Sequence, residues 1–262
     1  MGGATQFSKT KPFVVIELFI EIEKPKDNII LLVCENPQQN KLFRDTINQY
    51  HSYVKYKDSP TRNIRYLVYE SKSGNFVGSI GLSSATIAVA CRDNYIGWNN
   101  VTKMKHLNKL ANNSRFCIIQ KNTTIKNVAS STLKQLRIIG QKDWKNRYGD
   151  DLILLETFVQ PERDDIYDGN INRNGSCYRA DNWIEVGMTS GASIQKSPLL
   201  LWAKEKGERG RLARENKEEC LKKYGGYLGE HNKSGYKVTE SKKKIVFVKP
   251  LVKNWKKILN DF

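Results

Sequence analysis

Three histidines and five cysteines in 262 residues leave little material for metal or disulfide chemistry. Cys34, Cys91, Cys117, Cys177 and Cys220 form no CxxC pair and have no histidine at ligand spacing. That excludes the common zinc frameworks and a stapled secreted fold, and the set reads as reduced thiols. Long apolar runs are missing as well. The longest, Phe13 to Ile22, contains Glu17 and Glu21 and is too short to cross a bilayer. No signal peptide is visible, so the expected location is the cytoplasm, with no membrane partner. A glycine-rich phosphate loop is also absent.

Acid is the scarcer charge. Forty-four Lys and Arg stand against 27 Asp and Glu, a net charge of +17. A surplus of this size points to a polyanion, nucleic acid first; the blander source is a genome that favours Lys and Asn codons. The surplus is uneven, because residues 196 to 262 hold 18 basic and 8 acidic side chains. Hydrophobic residues at 39% and aromatics at 10% are enough to build a core.

Read in order, the chain predicts strands at Phe13–Glu23 and Ile29–Cys34, then a helix from Pro37 to Tyr50 with Leu42, Phe43 and Ile47 at helical spacing. A hairpin follows, Ile64–Tyr69 and Asn75–Gly81, joined through Gly74. Ser83–Cys91 is small and apolar and predicts a short buried helix ended by Arg92–Tyr95; Lys103–Leu110 predicts another. Phe116–Gln120 is a short buried strand, and Asn127 caps a helix to Ile139, with Trp144–Tyr148 as connector. Strands at Leu152–Val159 and Ile184–Met188 flank a polar loop and the segment Cys177–Trp183. A charged helix over Trp202–Tyr224, a strand at Ile245–Val248 and a last turn at Trp255–Leu259 complete the chain. The order implies an α+β (mixed α/β) domain. It divides into N-terminal strands (1–37), a core (38–195) and a basic C-terminal extension with a returning strand (196–262).

Chemistry gathers around Leu152–Gly191. Glu156 lies within an apolar strand, where desolvation raises a carboxyl pKa and suits a general base; the alternative is a strand-end ion pair with Arg115 or Arg179. Tyr178 can hold a proton and Arg179 can clamp a phosphate or carboxylate. Cys177 is a nucleophile or, more simply, a buried thiol. His51 is a general base or a helix-end histidine. Lys121 and Lys126 beside the helix start at Asn127 offer an anion site or an ordinary strand–helix loop. Glu162, Asp164, Asp165 and Asp168 read as a solvated acidic insertion and not a cation site. Tyr224, Tyr227 and the run Lys242, Lys243, Lys244 suit contact with a nucleic-acid backbone.

Several strings together resemble one family: Arg65-Tyr-Leu-Val68, Gly78-Ser-Ile-Gly-Leu-Ser-Ser84, Arg92-Asp-Asn-Tyr-Ile-Gly-Trp98, Asn112-Asn-Ser-Arg-Phe116, Leu155-Glu-Thr-Phe-Val159 and Cys177-Tyr-Arg-Ala-Asp-Asn-Trp183. Their order is similar to that of the DruA-like proteins, named for a component of the Druantia anti-phage system and also found with transposase-like genes. The second half resembles, more distantly, the Mom-type phage DNA-modification proteins. That resemblance implies a GNAT-like fold, a central mostly antiparallel sheet flanked by helices, with an acyl-CoA-type donor. It implies catalytic roles for Glu156 and Tyr178, substrate or cofactor binding by Ser114, Arg115, Arg179 and Asn182, and a helix start at Asn127 facing a cofactor pyrophosphate; Lys121 joins the binding set from the anion reading of its loop. The expected function is therefore a transferase acting on DNA bases in phage–host conflict or on mobile elements, which would require base flipping within a duplex. The alternative is a non-catalytic nucleic-acid-binding subunit working with a helicase or transposase partner.

Overall fold

The computed structural model describes residues 28–50, 56–58, 61–161, 174–194, 238–240 and 242–261. The expected strand at Phe13–Glu23, His51, the acids of 162–173, Cys220, and the charged segment Trp202–Tyr224 with Tyr227 lie outside them.

Seven strands form one sheet in the order β1-β2-β3-β4-β5-β9-β6. They are β1 (Ile29–Val33), β2 (Asn63–Glu70), β3 (Phe76–Ser84), β4 (Leu110–Ile118), β5 (Leu154–Val159), β6 (Ile184–Met188) and β9 (Ile245–Pro250). A short pair, β7 (Ala192–Ile194) with β8 (Val238–Glu240), stands apart from it. Every pairing in the large sheet is antiparallel except β4 with β5. The helices among the described residues are α1 (Pro37–Tyr50), α2 (Ala90–Ile96), α3 (Asn100–His106), α4 (Val128–Tyr148), α5 (Ser176–Ala180) and α6 (Trp255–Asn260). The expected mixed architecture, a mostly antiparallel sheet flanked by helices, is the one formed. No helix among the described residues is long and apolar enough to cross a membrane.

Side-chain alternation assigns the faces. Ile64, Tyr66 and Val68 of β2 and Leu155 of β5 pack with Leu133, Leu136 and Trp144 of α4. Leu67 packs on the opposite face with Phe43 and Ile47 of α1. Leu154 and Val248 share that second face with Trp98, Ile96 and Leu259, beneath α2 and α6. One face thus carries α4 and α5; the other carries α1 at one end and α2, α3 and α6 at the other.

Local chemistry explains the helix ends. Asn36 Oδ1 accepts from the Gln39 amide, and Gln39 Oε1 accepts from the Asn36 amide, a reciprocal cap that starts α1. Gly97 and Gly149, both at positive φ, close α2 and α4.

Four boundaries differ from the sequence expectation. Ser83 and Ser84 continue β3, pairing with Asn112 and Ala111, so no helix spans Ser83–Cys91. The helix begins at Ala90, and Arg92–Tyr95 lie inside it because Arg92 finds a buried partner on the sheet. Leu110 opens β4 instead of closing a helix, since its backbone pairs with Leu154. Trp144–Tyr148 belong to α4: Gly140 interrupts nothing, because the space a side chain would take is filled by Leu82, and Trp144 is buried one turn on.

Candidate functional site

The parallel pair β4–β5 is bonded only from Leu110–Asn112 to Leu154–Glu156. Beyond Asn112 and Glu156 the ladder ends, while β4 runs on to Ile118 and β5 to Val159, so the two strands part as a fork. What fills the fork comes from the chain itself. Thr157 Oγ1 donates to the Asn113 carbonyl at 3.1 Å, bridging the two strands. Tyr178, from the single turn α5, donates its hydroxyl to Asn113 Oδ1 at 2.8 Å and lies 3.3 Å from Thr157 Oγ1. Its ring is 6% exposed, stacked on Phe247 and edge-on to Phe116 and Trp183.

Gly175 lets α5 approach this closely. A Cβ there would lie 2.6 Å from the Phe247 ring, and φ is +84°. After Tyr178 the turn stops at Asn182, in the left-handed region at φ 55°. Asp181 then ties α5 to α4 and β6: its carboxylate accepts both Nε and Nη2 of Arg137 and the Trp183 indole N–H. The Asp181 carbonyl also accepts from Lys249 Nζ at 2.7 Å. Asp181→Ala leaves a guanidinium and a buried indole N–H without acceptors, so the urea midpoint should fall by the equivalent of about 2 kcal/mol with an unchanged m-value.

Glu156 and Thr157 are neighbours on β5 and therefore point to opposite faces. Glu156 is fully buried under α2, where Oε2 accepts from Arg92 at 2.5 Å and Oε1 from the Thr86 amide at 2.7 Å. Burial raises its pKa, and the Arg92 charge opposes that rise. Arg92, itself 0% exposed, also holds Asp93, which pairs in turn with Lys103. The ion-pair partner of Glu156 is thus Arg92, not Arg115 or Arg179. Tyr178 and Glu156 do not share a chamber; the sheet separates them.

The remaining candidates scatter. Arg179 binds Glu185 and the Asn174 carbonyl and lies over the Phe247 ring. Lys121 lies over the Tyr50 ring, and Asn127 precedes α4 at φ 62° with no side-chain capping bond. Burial pushes the Cys177 thiol up to about 11, which leaves little thiolate. Lys242 and Lys243 are exposed, while the Lys244 backbone pairs with Thr189.

Ser114 and Arg115 lie elsewhere again. Asn113 pairs with Leu82 and Arg115 with Gly81, so Ser114 is the extra residue of a β-bulge. The bulge turns Arg115 from the α4 face to the α1 face. There it lines a cleft of about 190 Å³ with Tyr56, Lys57, Arg65, Ser83 and Ser114. Sequence reasoning named Ser114 and Arg115 but missed Arg65, Lys57 and Tyr56. The signal that could have found them is Arg65 alternating with buried Ile64 and Tyr66 on a central strand.

The family described as Druantia protein DruA matches residues 17–261. No curated protein matches the chain. Among solved structures, an N-acyl amino acid synthase, FeeM, from uncultured soil microbes is similar at 8% identity, over 86% of this chain and 93% of that one, with a TM-score of 0.38. A protein described as a ribosomal-protein-serine acetyltransferase from Vibrio cholerae is similar at 11% identity, over 88% and 98% of the two chains, with a TM-score of 0.37.

Proposed function

The chain belongs to the DruA family, and from that footing we propose that it is a nucleic-acid-binding component of an anti-phage system, acting by contact and not by group transfer. The observation that carries this choice is the filled fork. Tyr178 occupies the gap between β4 and β5 with its hydroxyl committed to Asn113, and Glu156 is committed to Arg92 and the Thr86 amide on the other face. A general acid and base need access to a substrate proton; these two groups are held for packing and ion pairing. The net charge of +17 supports a polyanion as the partner. A helicase or transposase partner would supply the chemistry.

The transfer reading keeps one supporting observation, a tyrosine hydroxyl fixed at the fork. An acyl-CoA donor does not fit the residues present. The apex of the fork holds the Tyr178 ring, and the 120–127 loop leading to α4 has no glycine to bring its backbone against a pyrophosphate.

Binding to duplex and single-stranded DNA, measured between 50 and 200 mM salt, should weaken by about a thousandfold if six or more phosphates are engaged. Mass spectrometry of nucleosides from DNA co-expressed with the protein should show no new base. A modified nucleoside that disappears in Tyr178→Phe would sink the contact-only reading in favour of transfer.

A further inference from the structure

We infer that the cleft between α1 and strands β2–β4 is a binding site for a phosphate group of a nucleic-acid strand, read by Arg65, Arg115 and Lys57. The inference deepens the nucleic-acid reading and rests on it for the source of the phosphate.

The floor of the cleft is backbone. Gly81 leaves it open, since a Cβ there would already press to 3.2 Å of the Phe43 ring. Tyr56 forms a wall: its amide donates to Asn48 Oδ1 at the end of α1, and its ring stands edge-on to Phe43. The guanidinium carbons of Arg65 and Arg115 lie 5.5 Å and 6.0 Å from the Tyr56 ring centroid. One aromatic ring therefore gathers two guanidinium groups that repel each other.

The charge is neutralised only in part, at Arg65. Asp58 accepts from Arg65 Nη2 at 2.7 Å, and Asn40 takes Nη1. Among the described residues, Arg115 donates to the carbonyl of Ser114 beside it, at 2.7 Å. Neither Arg115 nor Lys57 has a carboxylate partner among the described residues. The Nε groups of both arginines are buried and have no acceptor among the described residues. Two guanidinium groups gathered on one ring in a cleft that also holds Lys57 suit an anion with several oxygens. The volume, about 190 Å³, is below the roughly 300–1,000 Å³ of a small-molecule pocket, so the cleft suits one phosphate with its adjoining sugar and not a whole dinucleotide cofactor. The Ser114 bulge is what brings Arg115 here.

A terminal 5′-phosphate and an internal phosphodiester share this chemistry, and the test separates them. The full chain is titrated with a single-stranded oligonucleotide carrying either a 5′-phosphate or a 5′-hydroxyl, and with inorganic pyrophosphate read by thermal shift. Arg115→Gln should weaken strand binding about tenfold and lower the log–log salt slope by about one. Lys57→Gln, an exposed change, should give a smaller loss in the same direction with an unchanged Tm. A loss confined to the 5′-phosphorylated strand supports a terminal phosphate; an equal loss for both supports a backbone phosphate. Unaltered binding of both strands and of pyrophosphate in folded Arg115→Gln and Lys57→Gln overturns the site while leaving the nucleic-acid reading intact. If the wild-type chain binds neither strand, but pyrophosphate stabilises it and not the variants, the cleft stands as an oxyanion site and the nucleic-acid reading falls.

Discussion

Arg92→Met is expected to lower the unfolding free energy by about 3–5 kcal/mol near neutral pH, because it strands the Glu156 carboxylate in the interior. Both partners are 0% exposed in their side chains. The arginine also bonds to the Thr86 carbonyl and Asp93, so its loss unties the β3–α2 loop as well. The double variant Arg92→Met/Glu156→Leu should recover most of the loss, since an apolar pair of similar volume removes the desolvated charge. pH separates this mechanism from simple cavity formation. In the native protein burial raises the Glu156 pKa above its ordinary value, with Arg92 pulling against burial; in Arg92→Met that pull is gone and the carboxyl rises further. A folded-state value above the unfolded one means that the protonated carboxyl favours folding at acid pH, and that this contribution is lost as pH rises through the folded value. The penalty of Arg92→Met relative to wild type should therefore be smallest in acid and grow toward neutrality. Urea melts at several pH values check this, and a penalty independent of pH would count against a stranded charge.

Gly78→Ala should be nearly as damaging, about 3 kcal/mol, the upper part of the range for overpacking. A Cβ at Gly78 would lie 2.1 Å from the Cys117 carbonyl oxygen and 3.1 Å from the Ile118 Cα. Those are backbone atoms of the paired strand, so no rotamer change relieves the contact. The two strands would have to separate where β3 joins β4, beside the irregular pairing of Val68 and Tyr69 on β2. The readouts are a lowered Tm and faster amide exchange along β3 and β4. A variant as stable as wild type would mean that the strands stand further apart than described.

Strands such as IILLV at β1 and IRYLVY within β2 were legible because their composition and length match a half- or fully buried strand. α1 was legible from its spacing and its Asn36-Pro37 start. Long-range pairing was not. Arg92-Asp93 looked like a polar stop to a helix, whereas Arg92 meets a carboxylate 64 residues away; nothing local announces such a partner. The strand expected at Phe116–Gln120 already includes Asn112–Arg115, and the polar side chains there serve three purposes. Asn113 receives Tyr178, Ser114 makes the bulge, and Arg115 lines the cleft. Glu156 was read as desolvated within an apolar strand, and Tyr178 as a group able to hold a proton after the loop; both are buried. What spacing across a loop could not convey is that strand alternation puts them on opposite faces of one sheet.

The position of β9 bears on synthesis. This strand, next to last among the elements in sequence, lies between β5 and β6. Ile245 follows Val159, its partner on β5, by 86 residues. At about 5–20 residues per second on the ribosome, β5 waits roughly 4–17 s for its neighbour. During that interval β5 offers an open edge through apolar Leu154 and Leu155, the kind of edge that pairs with strangers. A nascent chain stalled before residue 245 should therefore be the form most in need of a chaperone.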